Sequence, residues 1–258
     1  MPKLCANLSM LFNEYEFLDK FERASLAGFK GVEYLFPYPY STSALKQRLD
    51  DNGLEQVLFN LPAGDWASGE RGITCHPDRV SEFREGVDQA IEYAKALGCN
   101  QCNALAGIVA DNVSLEQAEE TFIENLTFAA DRLQKQGIRL LAEAINTYDI
   151  PGFFLNNTFQ AMDILERVNS DNLFYQYDIY HMQRMEGELS STIQQRINRI
   201  GHLQLADNPG RNEPGSGEIN YGFLLDFIDQ LDYDGWIGAE YIPAESTENG
   251  LTWMKQYI

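Results

Sequence analysis

Four oxygen-bearing side chains close four strand-like runs in the second half of this 258-residue chain: Glu143 in IRLLAE, Asp178 in LFYQYD, Gln204 in GHLQ and Glu240 in WIGAE. Successive members lie 35, 26 and 36 residues apart, about one strand plus one helix each. Three carboxylates and an amide form a hard oxygen set, suited to a divalent cation such as Mg2+ or Mn2+. A ligand between Glu143 and Glu240 would have a carboxylate on each flank. That suits proton removal at one carbon and delivery at its neighbour. The metal would polarise a carbonyl and hold the adjacent hydroxyl. It would also keep three neighbouring carboxylates ionised, where like charges otherwise raise their pKa values. A single strand-end Glu can simply cap a helix or pair with a lysine; four coincidences on four strands favour a shared site.

Two side chains qualify as helpers. His181, three residues after Asp178 in DIYHMQ, is expected to hang over the rim and hydrogen-bond a substrate hydroxyl or carbonyl. Arg211 lies in a loop seven residues after Gln204, where its guanidinium could grip a substrate carboxylate at two points. Asn7 and Asn60 end the first and third strands and are candidate substrate contacts, as is Asn103 at the end of the fourth, although strand-end asparagines also make turns. His202, two residues before Gln204 on the same strand face, reads as a satisfied core histidine. His76 has no partner in the sequence and reads as surface.

The elements that must position these residues repeat one unit. A helical pattern ends at Gly or Asn-Gly and a short apolar run follows, as in AGFKGVEYL, DNGLEQVLF, ALGCNQCNAL, KQGIRLLAE and YDGWIGAEY. The runs LCANLS, VEYL, QVLFNL, QCNAL, RLLAE, FYQYD, HLQLA and WIGAE make eight strands. Between them, apolar residues recur at three- and four-residue steps from Val80 to Leu97 and from Leu115 to Leu133. Asp19–Phe29, Ser43–Asn52, Asn157–Val168, Ser190–Ile200 and Tyr221–Leu231 supply shorter helices. Alternation on this scale predicts an α/β fold, a (β/α)8 TIM barrel, with residues 1–258 as a single domain. An open doubly wound sheet is the runner-up, but no G-x-G-x-x-G follows the first strand. The irregular stretches Asn60–Pro77 and Asn208–Tyr221 follow strands three and seven, at the face where a barrel does its chemistry, and read as lid or binding loops.

Bulk properties exclude several classes. Net charge is −20, from 39 acidic and 19 basic residues. Such a surface repels phosphate backbones and anionic membranes, so nucleic acid and membrane are not expected partners. MPKLCANLSM lacks the basic start and apolar stretch of a signal peptide, and no apolar run approaches the roughly 20 residues of a membrane span. Cys5, Cys75, Cys99 and Cys102 are too few for a disulfide scaffold, and the Cys99–Cys102 pair has no second pair to complete a zinc site. The expectation is a cytoplasmic protein with ordinary thiols. A homo-oligomer stays open.

The segments ANLSMLF, GVEYLFPYPYS, LFNLPAGDW, LLAEAIN, YDIYHMQ, GHLQLADNPGRNEPGSGEINY and GWIGAEY run from the first strand to the last. On them the chain resembles the hydroxypyruvate isomerase family, within the xylose-isomerase-like barrels. The resemblance implies metal-assisted isomerisation of a small 2-oxo acid. Glu143 and Glu240 would be the paired catalytic glutamates, and Asp178 and Gln204 would complete the metal set. His181 and Arg211 match substrate contacts of the related ketose epimerases, which usually carry histidine where Gln204 stands. The family includes isomerases of 2-oxotetronates, one carbon longer. The alternatives are a ketose epimerase, a keto-sugar dehydratase, or a sugar-acid-binding barrel without catalysis.

Overall fold

Runs such as RLLAE and LFYQYD show no alternation because strands of a parallel barrel are covered on both faces. The computed structural model describes residues 2–257. Its eight strands are β1 (Lys3–Asn7), β2 (Gly31–Glu33), β3 (Glu55–Asn60), β4 (Gln101–Ala104), β5 (Arg139–Glu143), β6 (Leu173–Asp178), β7 (Ile200–Leu205) and β8 (Trp236–Ala239). All pair in parallel in chain order, and β8 closes on β1 with Cys5 opposite Gly238. The predicted barrel is thus the observed one.

Register sets what meets at the rim. Glu143 lies opposite Gln176, and Asp178 opposite Gln204. Two register shifts interrupt the ladder, between Val32 and Glu33 and between Tyr175 and Gln176. Such bulges re-aim side chains, and Glu33 and Gln176 both line the central cavity. Elsewhere in the barrel Cys5, Val57, Leu58 and Leu141 form a small apolar cluster with Phe174 and Trp236 packed against it. A Cβ at Gly31 would lie 2.7 Å from Val57 Cγ2, so only glycine admits this packing.

The surrounding helices are α1 (Lys20–Leu26), α2 (Thr42–Asn52), α3 (Val80–Leu97), α4 (Leu115–Gln134), α5 (Thr158–Val168), α6 (Ile179–Met185), α7 (Leu189–Arg196), α8 (Tyr221–Asp229) and α9 (Thr247–Gly250). The α4 helix starts at a capping box, Ser114 with Gln117, and buries Ala118, Phe122, Leu126, Ala129 and Leu133 at helical spacing. Asn157 and Asn220 cap α5 and α8 by accepting from Gln160 N and Phe223 N. Each such cap contributes about 1 kcal/mol.

Several boundaries differ from the sequence pattern: the helix expected over Asp19–Phe29 spans Lys20–Leu26, and the one expected over Tyr221–Leu231 ends at Asp229. The helix expected to reach residue 200 ends at Arg196; a short 3-10 turn follows and Ile200 opens β7. The seven-residue helix α6 was not anticipated, because it begins one residue after its own strand ends. Among the described residues no helix is long and apolar enough to cross a membrane.

Candidate active site

The C-terminal strand ends surround a cavity of about 70 Å3, lined by Asn7, Asn60, Glu143, His181, Gln204, Arg211 and Glu240 among others. Asp178 does not line the cavity; it is fully buried behind His181, with Oδ2 3.6 Å from His181 Nε2. Residues scattered over more than two hundred positions therefore converge on one pocket.

Asp178 has two jobs divided between its oxygens. Oδ1 caps α6, accepting from Tyr180 N at 2.7 Å and His181 N at 3.2 Å. Oδ2 is buried without a hydrogen-bond partner. Glu143 accepts from Asn103 Nδ2 at Oε2 (3.1 Å), while its Oε1 lies 3.9 Å from His181 Nε2. Glu240 accepts from Arg211 Nη2 at 3.2 Å. Gln204 donates from Nε2 to Glu33 Oε1 at 2.8 Å and accepts at Oε1 from Gln176 Nε2 at 2.6 Å, which leaves its oxygen one further lone pair.

Burial dominates the electrostatics. It pushes Glu143 well above the usual carboxylate range, and the neighbouring charges of Glu240 and Asp178 push further. Glu240 is pushed up to about 8, again by burial, although Arg211 opposes the shift. Asp178 is raised by burial against Arg211 and two backbone N–H groups. His181 is driven well below its ordinary value by burial and by the cations of Arg211 and Arg184, so its ring is neutral near pH 7. Arg211 supplies one positive charge against these three raised acids, so they cannot all ionise together without a further counter-charge. The orphaned Asp178 Oδ2 belongs to a buried group with Glu143 and His181 whose ligand atoms all lie within 4.8 Å of one another, which fits a divalent cation as that counter-charge.

Arg211 is held on a loop of unusual backbone. Its φ is +55°, a left-handed conformation that strains a residue with a Cβ. Surrounding bonds enforce it: Ile242 N donates to Arg211 O at 2.8 Å, and Asp207 N donates to Asn212 O at 2.8 Å. The buried Asp207 gathers the loop, accepting from the backbone N–H groups of Asn208, Gly215, Gly217 and Ile219 at 2.8–3.0 Å. Tyr180 lies under the guanidinium, 5.2 Å from ring centroid to Cζ.

Several placements depart from the sequence reading. His181 lines the cavity at the rim, but it does so from within α6 and is only 2% exposed. His76 is not a free surface residue: it is half-buried, and its Nε2 is 2.8 Å from Ile108 O, tying the loop after β3 to the loop after β4. His202 is a core histidine as expected, but only half satisfied: its Nε2 is 2.6 Å from Glu33 Oε2, while its buried Nδ1 has no hydrogen-bond partner. Asn7 spends both side-chain atoms within the protein, on Glu33 Oε1 and Ser9 N. Asn60 accepts from Asn103 Nδ2. The four cysteines are free and buried.

Sequence reasoning missed Glu33. Its carboxylate binds Asn7, His202 and Gln204 together, and a Cβ on Gly238 would collide with it. The signal was present, an acid in GVEYLF, but the apolar residues after it made the strand look longer than three residues.

Fold and site together define the class: a (β/α)8 barrel with a carboxylate-rich pocket at the C-terminal ends of its strands, where such barrels carry out catalysis. The chain belongs to the xylose isomerase-like TIM barrel family, which residues 21–257 match, and within it to the hydroxypyruvate isomerase group. It is 55% identical over 257 residues to hydroxypyruvate isomerase of Escherichia coli (strain K12), covering 100% of both chains. It is 45% identical over 258 residues to 2-oxo-tetronate isomerase of Cupriavidus necator, covering 100% of this chain and 99% of that one. A solved structure described as AP endonuclease, family 2, from Brucella melitensis superposes with a TM-score of 0.97 at 44% identity, over 100% of this chain and 99% of the other. The protein is an isomerase.

Proposed function

We propose that this isomerase moves a proton between C3 and C2 of a short 2-oxo acid, converting hydroxypyruvate to tartronate semialdehyde or 2-oxotetronate to 3-oxotetronate. The observation that carries the reading is the meeting of Glu143 and Glu240 in one small pocket with Arg211 beside them. Relatives of both substrate types, matched along the whole chain, support it.

Arg211 takes the substrate carboxylate and so sets which carbon faces each glutamate. One glutamate removes the proton on C3, and the electron pair moves through C2 onto its oxygen. The other glutamate delivers a proton to C2, while the C3 hydroxyl proton is transferred to the C2 oxygen as a carbonyl forms at C3. His181 and Arg211 face the same space, where they can donate to the oxygen on which charge develops. A divalent cation held by Glu143, Asp178, Gln204 and Glu240 would supply polarisation of the carbonyl. Asn103 fixes the Glu143 carboxylate and Glu33 fixes Gln204.

The net charge of −20 disfavours a nucleic-acid substrate, despite the nuclease description carried by one structural relative. Hydroxypyruvate and 2-oxotetronate, each incubated with enzyme and Mg2+ in D2O and followed by NMR, test the reading. The expected result is isomerised product with deuterium at C2. Turnover of neither acid, or strand cleavage of an abasic duplex at a comparable rate, would overturn it.

A further inference from the structure

Asn146 follows β5 by three residues, is completely buried and is not among the cavity-lining residues. Its side chain is fully engaged. Oδ1 accepts from Tyr148 N at 3.1 Å and Asp149 N at 2.8 Å. Nδ2 donates to Asp149 Oδ2 at 3.0 Å and lies 2.6 Å from His181 Nδ1. The two backbone N–H groups settle which way the amide faces, because the reversed amide would point its own N–H groups at them. The amino group therefore faces His181.

A donor at Nδ1 leaves that nitrogen one role, acceptor. The ring then carries its proton on Nε2. Nε2 points the opposite way, into the site, 3.6 Å from Asp178 Oδ2, 3.9 Å from Glu143 Oε1 and 3.5 Å from Arg211 Nη2. A neutral ring has one acceptor nitrogen, so it cannot accept both from Asn146 Nδ2 at 2.6 Å and from Arg211 Nη2 at 3.5 Å, and the much shorter contact takes that role. Both donors lie beside Asp178 Oδ2, 3.6 Å from His181 Nε2 and 3.9 Å from Arg211 Nη2.

We propose that Asn146 is a positioning residue that locks His181 in the neutral Nε2–H tautomer, so that His181 serves as a hydrogen-bond donor to a substrate oxygen and not as a base. The lock extends beyond the amide. Asp149, which receives Asn146 Nδ2, also accepts from Tyr180 Oη at 2.9 Å and Arg184 Nη1 at 2.7 Å, so the turn after β5 is clamped to α6, the helix that carries His181. The tautomer follows from this bonding alone. Its catalytic use rests on the isomerase reading above, in which the acceptor is the oxygen that gains charge as the C3 proton leaves.

The chain has only three histidines, so 15N-histidine labelling and long-range proton–nitrogen correlation spectra resolve each ring, with His181 assigned by its loss in His181→Gln. Wild type should show His181 protonated on Nε2 and bare on Nδ1. Asn146→Asp keeps an oxygen for the two backbone N–H groups but presents an acceptor to Nδ1. It should move the proton to Nδ1 or leave the ring doubly protonated, and lower kcat on the order of 10²–10³-fold, the loss typical of one misdirected transition-state donor, with little change in KM. Asn146→Ala, which removes the donor without adding an acceptor, should give mixed tautomers and an intermediate kcat. A wild-type His181 protonated on Nδ1 overturns the proposal without any variant. A shifted tautomer with undiminished kcat in Asn146→Asp overturns its catalytic half. Absence of isomerisation in wild type, with the Nε2–H tautomer observed, overturns the isomerase reading and leaves the lock standing.

Discussion

At the residue scale the site is a balance of buried charges. Glu143 and Glu240 approach the same space from β5 and from the residue after β8, and each keeps one well-defined partner, Asn103 Nδ2 and Arg211 Nη2. Glu143→Gln and Glu240→Gln preserve an acceptor for those partners and remove the base. Turnover should fall by about 10²–10⁴, the usual range for general acid–base groups; near-normal turnover in either variant removes that residue from the proton-transfer pair. Arg211 is tested by a contrast between substrates. Arg211→Ala should weaken acid binding by about 1.5–3 kcal/mol, as for a hydrogen bond to a charged group, and affect dihydroxyacetone much less. Arg211→Lys keeps the charge but loses two-point geometry and should recover only part of the affinity. Equal losses for acid and neutral ligands would mean that Arg211 only supports its loop.

At the element scale the strand ends aim the carboxylates, and the loops supply the cation. The stretch after β7 looked irregular in the sequence, rich in Gly, Pro and Asn, and its placement at the catalytic rim was legible from topology. Its internal order was not, because that order comes from Asp207 collecting four N–H groups spread over the loop. Asp207→Ala should release the backbone of Gly215, Gly217 and Ile219 to hydrogen exchange. It should raise KM for acid substrates, since Arg211 rides on the same loop in a strained conformation that only its surroundings maintain. Unaltered KM with faster exchange would uncouple loop order from substrate binding. Helix α6 teaches a related lesson. Asp178 reads as a strand-end ligand, but its other oxygen starts the helix that buries His181.

For the whole molecule, buried acids link stability to pH and to metal. The folded-state values of Glu143, Asp178 and Glu240 are raised, Glu240 to about 8, above the roughly 4 of unfolded carboxyls. Between those limits the native state binds more protons than the unfolded state, so these groups cost stability increasingly as pH rises from about 4 to about 8. Glu33 has the opposite sign. Burial pushes it up, but His202, Gln204 and Asn7 outweigh that and hold it below its ordinary value. Its contribution is present above the unfolded value and is lost as pH falls through the folded one. With a chelator present, the midpoint of thermal unfolding should therefore decline from pH 5 to pH 8. Saturating Mg2+ or Mn2+ should flatten that decline by balancing the ionised carboxylates. Identical pH profiles with and without cation would sink the proposed metal set.

The chain order of strands and helices was legible in the sequence because helix-ending glycines and period-3.6 apolar faces are local signals, set by backbone sterics and by which side of a helix must be covered. The candidate site was legible for the same reason: a barrel places every strand end at one rim, so Glu143, Asp178, Gln204 and Glu240 could be grouped from position alone. Tertiary structure alone decided the pairings across the barrel. Glu33 reaches His202 over 169 residues, Asn103 reaches Glu143 over 40, and Asn146 reaches His181 over 35. Nothing local to any of these residues encodes its partner. Such contacts exist because the closed ring brings buried polar groups on different elements together, where they must satisfy one another because water cannot.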